Sequence, residues 1–240
     1  MTTDTPKTFD AVENWVFDLD NTLYPAGCNL FAQIDERMSL YIEHRFNVDR
    51  PEARRLQKGL YVEHGTTLAG LMNVYDVDPH DFMAYVHDID VSALTIDPRL
   101  KTAIDALPGK KFVHTNGSLL HAENVLGALG LENSMDDIFD VEMGAWVPKP
   151  HASNYERFKS RTGINPNQAA MFEDMVVNLE VPHTMGMRTV LITSDAEWIA
   201  DEPEEKRPGA GHEDAEHVHH VTSDLTAFLE GLGNRKKSVA

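Results

Sequence analysis

Six short apolar segments, separated by helical patterns, constrain the fold of this chain more than any other feature of its sequence. Helices that alternate with short buried strands are typical of an α/β fold in which helices cover both faces of a parallel sheet. Ligands of such sheets bind at the carboxyl ends of the strands, so polar residues directly after the segments are the candidate site. The predicted strands are residues 15–18, 111–115, 138–141, 169–173, 189–192 and 218–221.

A different pattern follows the first strand. Between residues 26 and 95 apolar residues recur at helical spacing, and Asp49-Arg50-Pro51-Glu52 and Asp78-Pro79-His80-Asp81 have the form of helix N-caps. We therefore predict an all-helical insert. Its second and third helices are separated by one small, polar break, His64-Gly65-Thr66-Thr67. The predicted domains are a core of residues 1–25 and 96–240 and a helical cap of residues 26–95.

Two aspartates follow the first strand, in the stretch Trp15-Val16-Phe17-Asp18-Leu19-Asp20-Asn21-Thr22-Leu23-Tyr24-Pro25. Mg²⁺ is held in proteins by one or two carboxylates together with substrate phosphate oxygens, and an acid that stays uncoordinated can move protons. Asp18 and Asp20 therefore indicate a divalent-cation site with an acid or base beside it. The alternative is a strand end whose aspartates are solvated or cap a turn.

The formal charge of −18 excludes some classes of partner. Nucleic-acid binding needs clustered Lys and Arg, so we expect no nucleic acid and only a small phosphorylated substrate. The chain has no run of about 18 apolar residues that could span a membrane, and residues 1–8 are polar. We therefore expect no membrane association, no secretion and a cytoplasmic location. A monomer and a homodimer are both compatible with the sequence.

Four motifs resemble, in order, those of the haloacid dehalogenase-like (HAD) superfamily. The first is Val16-Phe17-Asp18-Leu19-Asp20-Asn21-Thr22-Leu23, the second Phe112-Val113-His114-Thr115-Asn116-Gly117-Ser118, the third Val147-Pro148-Lys149-Pro150, and the fourth Met171-Phe172-Glu173-Asp174 with Asn178. The resemblance covers nearly the whole chain. It implies a Rossmann-like core with a parallel sheet flanked by helices, and the helical insert resembles the cap of the superfamily's C1 class.

The resemblance also implies a role for each motif residue. Asp18 is expected to attack phosphorus and form an aspartyl-phosphate, while Asp20 protonates the leaving oxygen and later deprotonates water. Mg²⁺ is expected on the carboxylates of Asp18 and Asp174 and the main-chain carbonyl of Asp20. Lys149 is expected to offset repulsion between Asp18 and the phosphate. Thr115, Asn116 and Gly117 are expected to bind phosphoryl oxygens at a helix start. Glu173 and Asn178 are expected to form hydrogen bonds behind the metal ligands.

The presence of Asp20 points to phosphatases or related mutases, because the dehalogenase branch lacks an acid at that position. Within the C1 class, residues 17–25 together with residues 59–71 resemble the pyrimidine 5′-nucleotidases. We therefore expect a Mg²⁺-dependent phosphomonoesterase that hydrolyses pyrimidine nucleoside 5′-monophosphates, with His64, Thr66 and Thr67 contacting the base or ribose. Two alternatives for the function stay open: a phosphatase or mutase of small sugar phosphates or phosphoglycolate, and an inert HAD-fold binding module. For residues 64–67 the alternative is a simple turn between helices.

Residues 197–216 are acidic and contain Pro203, Pro208, Gly209 and Gly211, a composition that predicts a surface loop. The histidines at 212, 217, 219 and 220 raise a transition-metal hypothesis. No cysteine or fixed ligand spacing joins them, so this hypothesis is weaker than the magnesium one.

Overall fold

A parallel six-stranded sheet forms the centre of the molecule. The computed structural model of the chain describes residues 9–201, 207 and 214–237. The sheet has the strand order β3-β2-β1-β4-β5-β6, and every neighbouring pair is parallel, which confirms the predicted fold class. The strands are β1 (Asn14–Phe17), β2 (Lys110–His114), β3 (Asp137–Phe139), β4 (Ala169–Glu173), β5 (Arg188–Ile192) and β6 (His220–Thr222).

The apolar runs are continuous because both faces of the central strands are buried. Successive side chains of a strand point to opposite faces. Trp15 and Phe17 of β1 pack into one hydrophobic cluster together with Phe172 of β4, whereas Val16 and Met171 pack into a second cluster on the other face. Strands buried on both sides carry no polar alternation, and the helices on the two faces supply the packing partners.

Helices follow the strands in the order expected for this topology. The N-caps predicted at Asp49 and Asp78 are formed, since their carboxylates accept hydrogen bonds from the N–H groups of Glu52 and His80. Thr66 caps the helix after the polar break. The described α-helices are α1 (Leu30–Phe46), α2 (Arg50–His64), α3 (Thr67–Tyr75), α4 (Pro79–Val86), α5 (Pro98–Asp105), α6 (Leu119–Leu129), α7 (Ala152–Thr162), α8 (Glu180–Met185) and α9 (Leu225–Lys237).

Helices α1 to α4 lie within residues 26–95, called the helical segment below, and pack around a hydrophobic cluster that includes Ile42, Leu71 and Phe82 and that Val141, after β3, also joins. This cluster is separate from the two that cover the sheet. The division into a core and a cap at residues 26 and 95 stays a prediction, and the separate cluster supports it. No helix in the described part of the chain has both the length and the apolar character needed to cross a membrane.

Candidate active site

The carboxyl ends of the three central strands bring the motif residues together. β1 lies between β2 and β4, and the Asp18 N–H extends the β1–β4 ladder by donating to the Phe172 carbonyl over 2.9 Å. Asp174 follows β4 and Thr115 follows β2, so both lie beside Asp18 at one edge of the sheet. All three side chains are buried. The sequence placed these residues at strand ends, and the parallel topology makes the ends converge.

Three carboxylates form a cluster at this edge. Asp18, Glu173 and Asp174 each offer one oxygen, and these oxygens lie within 4.8 Å of one another. Burial raises the pKa of Asp174 well above its usual value, and the neighbouring Glu173 and Asp18 charges raise it further. Burial also raises the pKa of Asp18, against the opposing charge of Lys149. The cluster therefore concentrates more negative charge than its surroundings compensate.

Lys149 is the cation of the cluster. Its buried Nζ donates to Asp18 Oδ1 over 2.6 Å, to Glu173 Oε1 over 2.6 Å and to the His114 carbonyl over 2.8 Å. The main chain of Lys149 is held by the Asn116 side chain, whose Oδ1 accepts from the Lys149 N–H and whose Nδ2 donates to the Lys149 carbonyl. Three acceptors fix the ammonium group in place, so its position next to Asp18 is determined by the fold.

Glu173 is engaged by protein donors on both of its oxygens. Oε1 accepts from Lys149 and also from Asn178 Nδ2 over 2.6 Å, while Oε2 accepts from the Met175 N–H over 2.7 Å. Asn178 is itself fixed by Tyr155, whose hydroxyl donates to the Asn178 carbonyl. These hydrogen bonds fix the orientation of the Glu173 carboxylate, so that it can in turn orient groups bound at the cluster. The predicted role of Glu173 and Asn178 behind the metal ligands stays a prediction.

The residues of the cluster fit a hard divalent cation. Among the described residues, the three carboxylates of the cluster face one ammonium group, so negative charge is in excess. Asn21 Nδ2 donates to Asp174 over 3.3 Å, while its buried Oδ1 has no hydrogen-bond partner among the described residues. Buried polar atoms are normally paired, so this oxygen marks a place for a further donor, such as a metal-bound water. Carboxylate oxygens are the ligands that Mg²⁺ prefers.

The histidine-rich segment does not form a comparable cluster. Within residues 9–201, 207 and 214–237, Asp18, Glu173 and Asp174 are the only group of three or more possible ligands. His219 is engaged by Thr189, whose hydroxyl lies 2.7 Å from Nδ1. His212 and most of the acidic segment lie outside the described residues. The transition-metal hypothesis therefore gains no support from the described part of the chain.

Asp20 has an environment of its own, apart from the acidic cluster. Its Oδ1 accepts hydrogen bonds from the Tyr24 hydroxyl over 2.7 Å and from His121 Nε2 over 2.8 Å. Burial alone would raise the pKa of Asp20, but the charge of His121 and the two hydrogen bonds outweigh it and lower the pKa to about 2. About a sixth of the side chain stays exposed, 17%, and it lines the cavity described below.

His121 and His87 were missed by the sequence analysis. His121 lies on the buried face of α6, one turn before Val125, where the helical pattern calls for an apolar residue. That mismatch, directly after the second motif, is the signal that could have identified it. His87 follows α4 and stacks on His121 with ring centroids 4.3 Å apart. Only the packing of the helical segment against the core creates this contact, so no local pattern predicts it.

The candidate phosphate-binding residues form a tight turn after β2. Thr115 Oγ1 accepts from the Gly117 N–H over 2.9 Å, and a Cβ at Gly117 would lie 3.2 Å from that oxygen. Ser118 caps α6 by accepting from the His121 N–H. The Asn116 side chain is committed to Lys149, so any contact from Asn116 to a phosphate would come from its main chain.

A cavity of about 180 Å³ lies between the sheet edge and helices α1 to α4. Thr66 and Thr67 of the polar break lie on its wall, but His64 is not among the described residues that line it. Polar residues that the sequence analysis did not single out, Asp35 and Gln57, also line it, and they are hydrogen-bonded to each other. Much of the remaining helical wall is apolar, formed by Phe31, Ile34, Met38, Leu68, Phe82 and Met83.

The sheet topology, the inserted helices and the four motif segments at one sheet edge define a hydrolase of the HAD type. A family model described as haloacid dehalogenase-like hydrolase matches residues 14–186, and the chain belongs to this family. The superfamily resemblance seen in the motifs is thereby confirmed.

Individual relatives agree with this assignment. The chain is 27% identical over 209 residues to "Phosphate metabolism protein 8" of Saccharomyces cerevisiae, a match that covers 78% of this chain and 64% of that protein. Among solved structures, an HAD phosphatase from Thermococcus onnurineus has a TM-score of 0.60 at 15% identity, over 92% of this chain and 98% of that one. The L-2-haloacid dehalogenase from Xanthobacter autotrophicus has a TM-score of 0.56 at 17% identity, over 95% and 100%. These structures establish the shared fold.

Proposed function

We propose that the protein is a Mg²⁺-dependent phosphomonoesterase that works through an aspartyl-phosphate on Asp18. One observation carries the proposal: Asp18 and Asp20, two residues apart, lie in separate environments. Asp18 belongs to the acidic cluster and contacts Lys149, whereas Asp20 is bonded to Tyr24 and His121. Asp18, next to Lys149, is placed to act as the nucleophile, and Asp20, which stays partly exposed at the cavity, is placed to exchange protons with the substrate and with water.

Each residue of the site has a defined part in this proposal. Lys149 keeps the Asp18 carboxylate in place and reduces its repulsion of a phosphate dianion. Asp20 gives a proton to the leaving oxygen in the first step and takes one from water in the second. Mg²⁺, held by Asp18, Asp174 and the main-chain carbonyl of Asp20, would neutralise phosphate charge. The turn at Thr115, Asn116 and Gly117 would hold the phosphoryl oxygens.

The best-supported substrate is a pyrimidine nucleoside 5′-monophosphate. The apolar wall of the cavity suits the faces of a base better than the hydroxyl groups of a sugar, which argues against sugar phosphates. Thr66 and Thr67 on that wall would contact the polar edge of the base or the ribose. The name of the yeast relative, a phosphate metabolism protein, is compatible with phosphate chemistry.

A turnover screen tests the proposal. Phosphate release from UMP, CMP, AMP, glucose 6-phosphate, phosphoglycolate and p-nitrophenyl phosphate would be measured with Mg²⁺ and with EDTA. We expect Mg²⁺-dependent release, with kcat/KM highest for UMP and CMP. Release from sugar phosphates at equal or higher kcat/KM would contradict the nucleotide assignment. The absence of release from every ester would contradict the phosphomonoesterase itself.

A second experiment addresses the cavity wall. In Thr67→Val the shape of a buried side chain is kept and its hydroxyl is removed. If Thr67 contacts the base or ribose, kcat/KM for UMP falls roughly five- to 150-fold, which corresponds to a loss of about 1–3 kcal/mol of transition-state stabilisation. The value for p-nitrophenyl phosphate should fall less. An equal loss on both substrates would remove Thr67 from the specificity site.

A further inference from the structure

His121 has features that packing alone does not explain. Its side chain is 1% exposed, on a helix face otherwise filled by Ala122, Val125 and Leu129. Its Nδ1 is buried and has no hydrogen-bond partner among the described residues, so its one polar contact there through the ring is Nε2 to Asp20. Burying an unpaired ring nitrogen costs free energy, and a leucine would fill the same face without that cost. The histidine is therefore explained by its bond to Asp20.

The bond to His121 restricts the Asp20 carboxylate. Nε2 carries the hydrogen and donates to Oδ1, and the Tyr24 hydroxyl donates to the same oxygen. Two donors on one oxygen restrict the rotation of the carboxylate, and none of the described residues donates to the other oxygen, which is available to the substrate. A general acid must lie within hydrogen-bond reach of the oxygen that it protonates, so the fixed orientation bears on the rate.

The helical segment completes this arrangement. His87, directly after α4, stacks on the His121 ring with an angle of 13° between the ring planes. Its Nδ1 is hydrogen-bonded to Ser118 Oγ at 2.8 Å, and Ser118 caps the helix that carries His121. His87 therefore contacts both the ring of His121 and the cap of its helix.

We infer that His121 is a positioning residue for Asp20 and that His87, from the helical segment, holds His121 in place by stacking on it; this inference rests on the proposed function. The segment that covers the cavity thereby also orients the acid of the reaction. Loss of His121 should impair the protonation of the leaving group. Ground-state binding of the phosphate depends on the other residues of the site and should not change.

The test compares His121→Phe with His121→Gln on two esters. Phenylalanine fills the space but has no donor, whereas the amide nitrogen of glutamine can reach the position of Nε2. We expect kcat for UMP to fall by roughly ten- to a hundredfold in His121→Phe, less than a full acid–base effect of about 10²–10⁴-fold because Asp20 itself is kept, with a smaller fall for p-nitrophenyl phosphate, whose leaving group needs no proton. His121→Gln should recover much of the loss on UMP, and KM should change little in both variants.

Val125→Ala is the matched control, because it removes buried volume one turn along the same helix face without touching Asp20. It should lower the melting temperature and leave the ratio of UMP to p-nitrophenyl phosphate turnover as in the wild type. For His87, the alanine variant should shift that ratio in the direction of His121→Phe, and the phenylalanine variant, which keeps a ring to stack, should shift it less.

The outcomes separate the inference from the proposed function. Equal losses on both esters in His121→Phe, or a glutamine variant no better than phenylalanine, would overturn the role of His121. If the wild type releases phosphate and Asp20→Asn shows the leaving-group dependence but His121→Phe does not, only the inference fails. If the wild type turns over no phosphate ester, both fail. Where UMP is not a substrate, glucose 6-phosphate or phosphoglycolate serves as the ester with the poor leaving group.

Discussion

At the scale of single residues, the site is a balance of buried charges. Lys149 bonds to Asp18 and Glu173, and all three groups are shielded from water. Taking such charges out of water is costly, and the mutual attraction compensates only while each partner is present. The same arrangement that prepares Asp18 for chemistry therefore makes the site sensitive to the loss of Lys149.

Replacement of Lys149 by methionine tests this balance. The variant keeps the length of the side chain and leaves two buried carboxylates without a counter-charge, so we expect the free energy of unfolding to fall by about 3–5 kcal/mol. The measurement is urea denaturation in EDTA. Lys101→Met is the control, because its pair with Asp105 is exposed and should contribute about 1 kcal/mol or less. Equal stability of the two variants would contradict the account of the cluster.

The sequence allowed much of this residue-scale picture to be predicted. Asp18 and Asp174 stand directly at or after strand ends, and parallel topology brings such ends together. The approach of Lys149 depends on a loop held by Asn116, a contact that no local pattern encodes. His87 and His121 are 34 positions apart in the sequence, and their stacking depends on how the helical segment packs against the rest of the protein. Long-range packing of this kind is what the sequence pattern leaves undetermined.

At the scale of secondary-structure elements, the helical segment depends on close packing between α2 and α3. Gly70 of α3 faces Leu60 of α2, and a Cβ at position 70 would lie 2.7 Å from Leu60 Cβ. That atom is fixed by the α2 backbone, so the two helices would have to move apart. Thr66 and Thr67, which line the cavity, lie at the start of α3 and would move with it.

Gly70→Ala should therefore destabilise the protein by about 1–3 kcal/mol, the range of overpacked cores. Gly59→Ala is the matched control: Gly59 is also helical, in α2, and nothing lies within 4 Å of a Cβ built there. Alanine at that position should stabilise by about 0.5–1 kcal/mol, because glycine loses more backbone entropy on folding. Thermal denaturation of the three proteins decides; a Gly70→Ala variant as stable as Gly59→Ala would show that the helices are not in contact there.

At the scale of the whole molecule, His87 and His114 contribute to the pH dependence of stability. Burial and the neighbouring charge of His121 lower the pKa of His87 from 6.5 to about 3. Burial also lowers the pKa of His114, well below 6.5. Below pH 6.5 the unfolded chain binds protons on these residues and the folded chain does not. Their contribution to stability is therefore present above pH 6.5 and is lost as the pH falls toward the folded-state values.

His87→Phe isolates this contribution. The variant keeps a ring next to His121 and removes one group that titrates only in the unfolded state. Between pH 6 and pH 4.5 the free energy of unfolding of the wild type should fall more steeply than that of the variant. The difference in slope should be up to about 1.4 kcal/mol per pH unit, the value for one proton. The free energy of unfolding measured by urea titration in EDTA at each pH gives the two slopes. Parallel curves would show that His87 is not neutral in the folded protein.

The overall charge of −18 disfavours the binding of large polyanions. Recognition of a phosphate group therefore depends on groups at the site itself. Lys149 and the turn after β2 are available for that recognition, and in the proposed function a bound cation would join them. All of them converge on Asp18, which is the centre of the proposed chemistry.

Phosphate release by Asp18→Asn tests whether Asp18 is the nucleophile. The amide is a poor nucleophile and a weaker cation ligand, so the account predicts that Mg²⁺-dependent release falls by about 10⁴-fold or more for the best ester of the screen. Circular dichroism and the melting temperature would establish that the variant is folded. A folded Asp18→Asn protein that releases phosphate within tenfold of the wild-type rate would contradict the account.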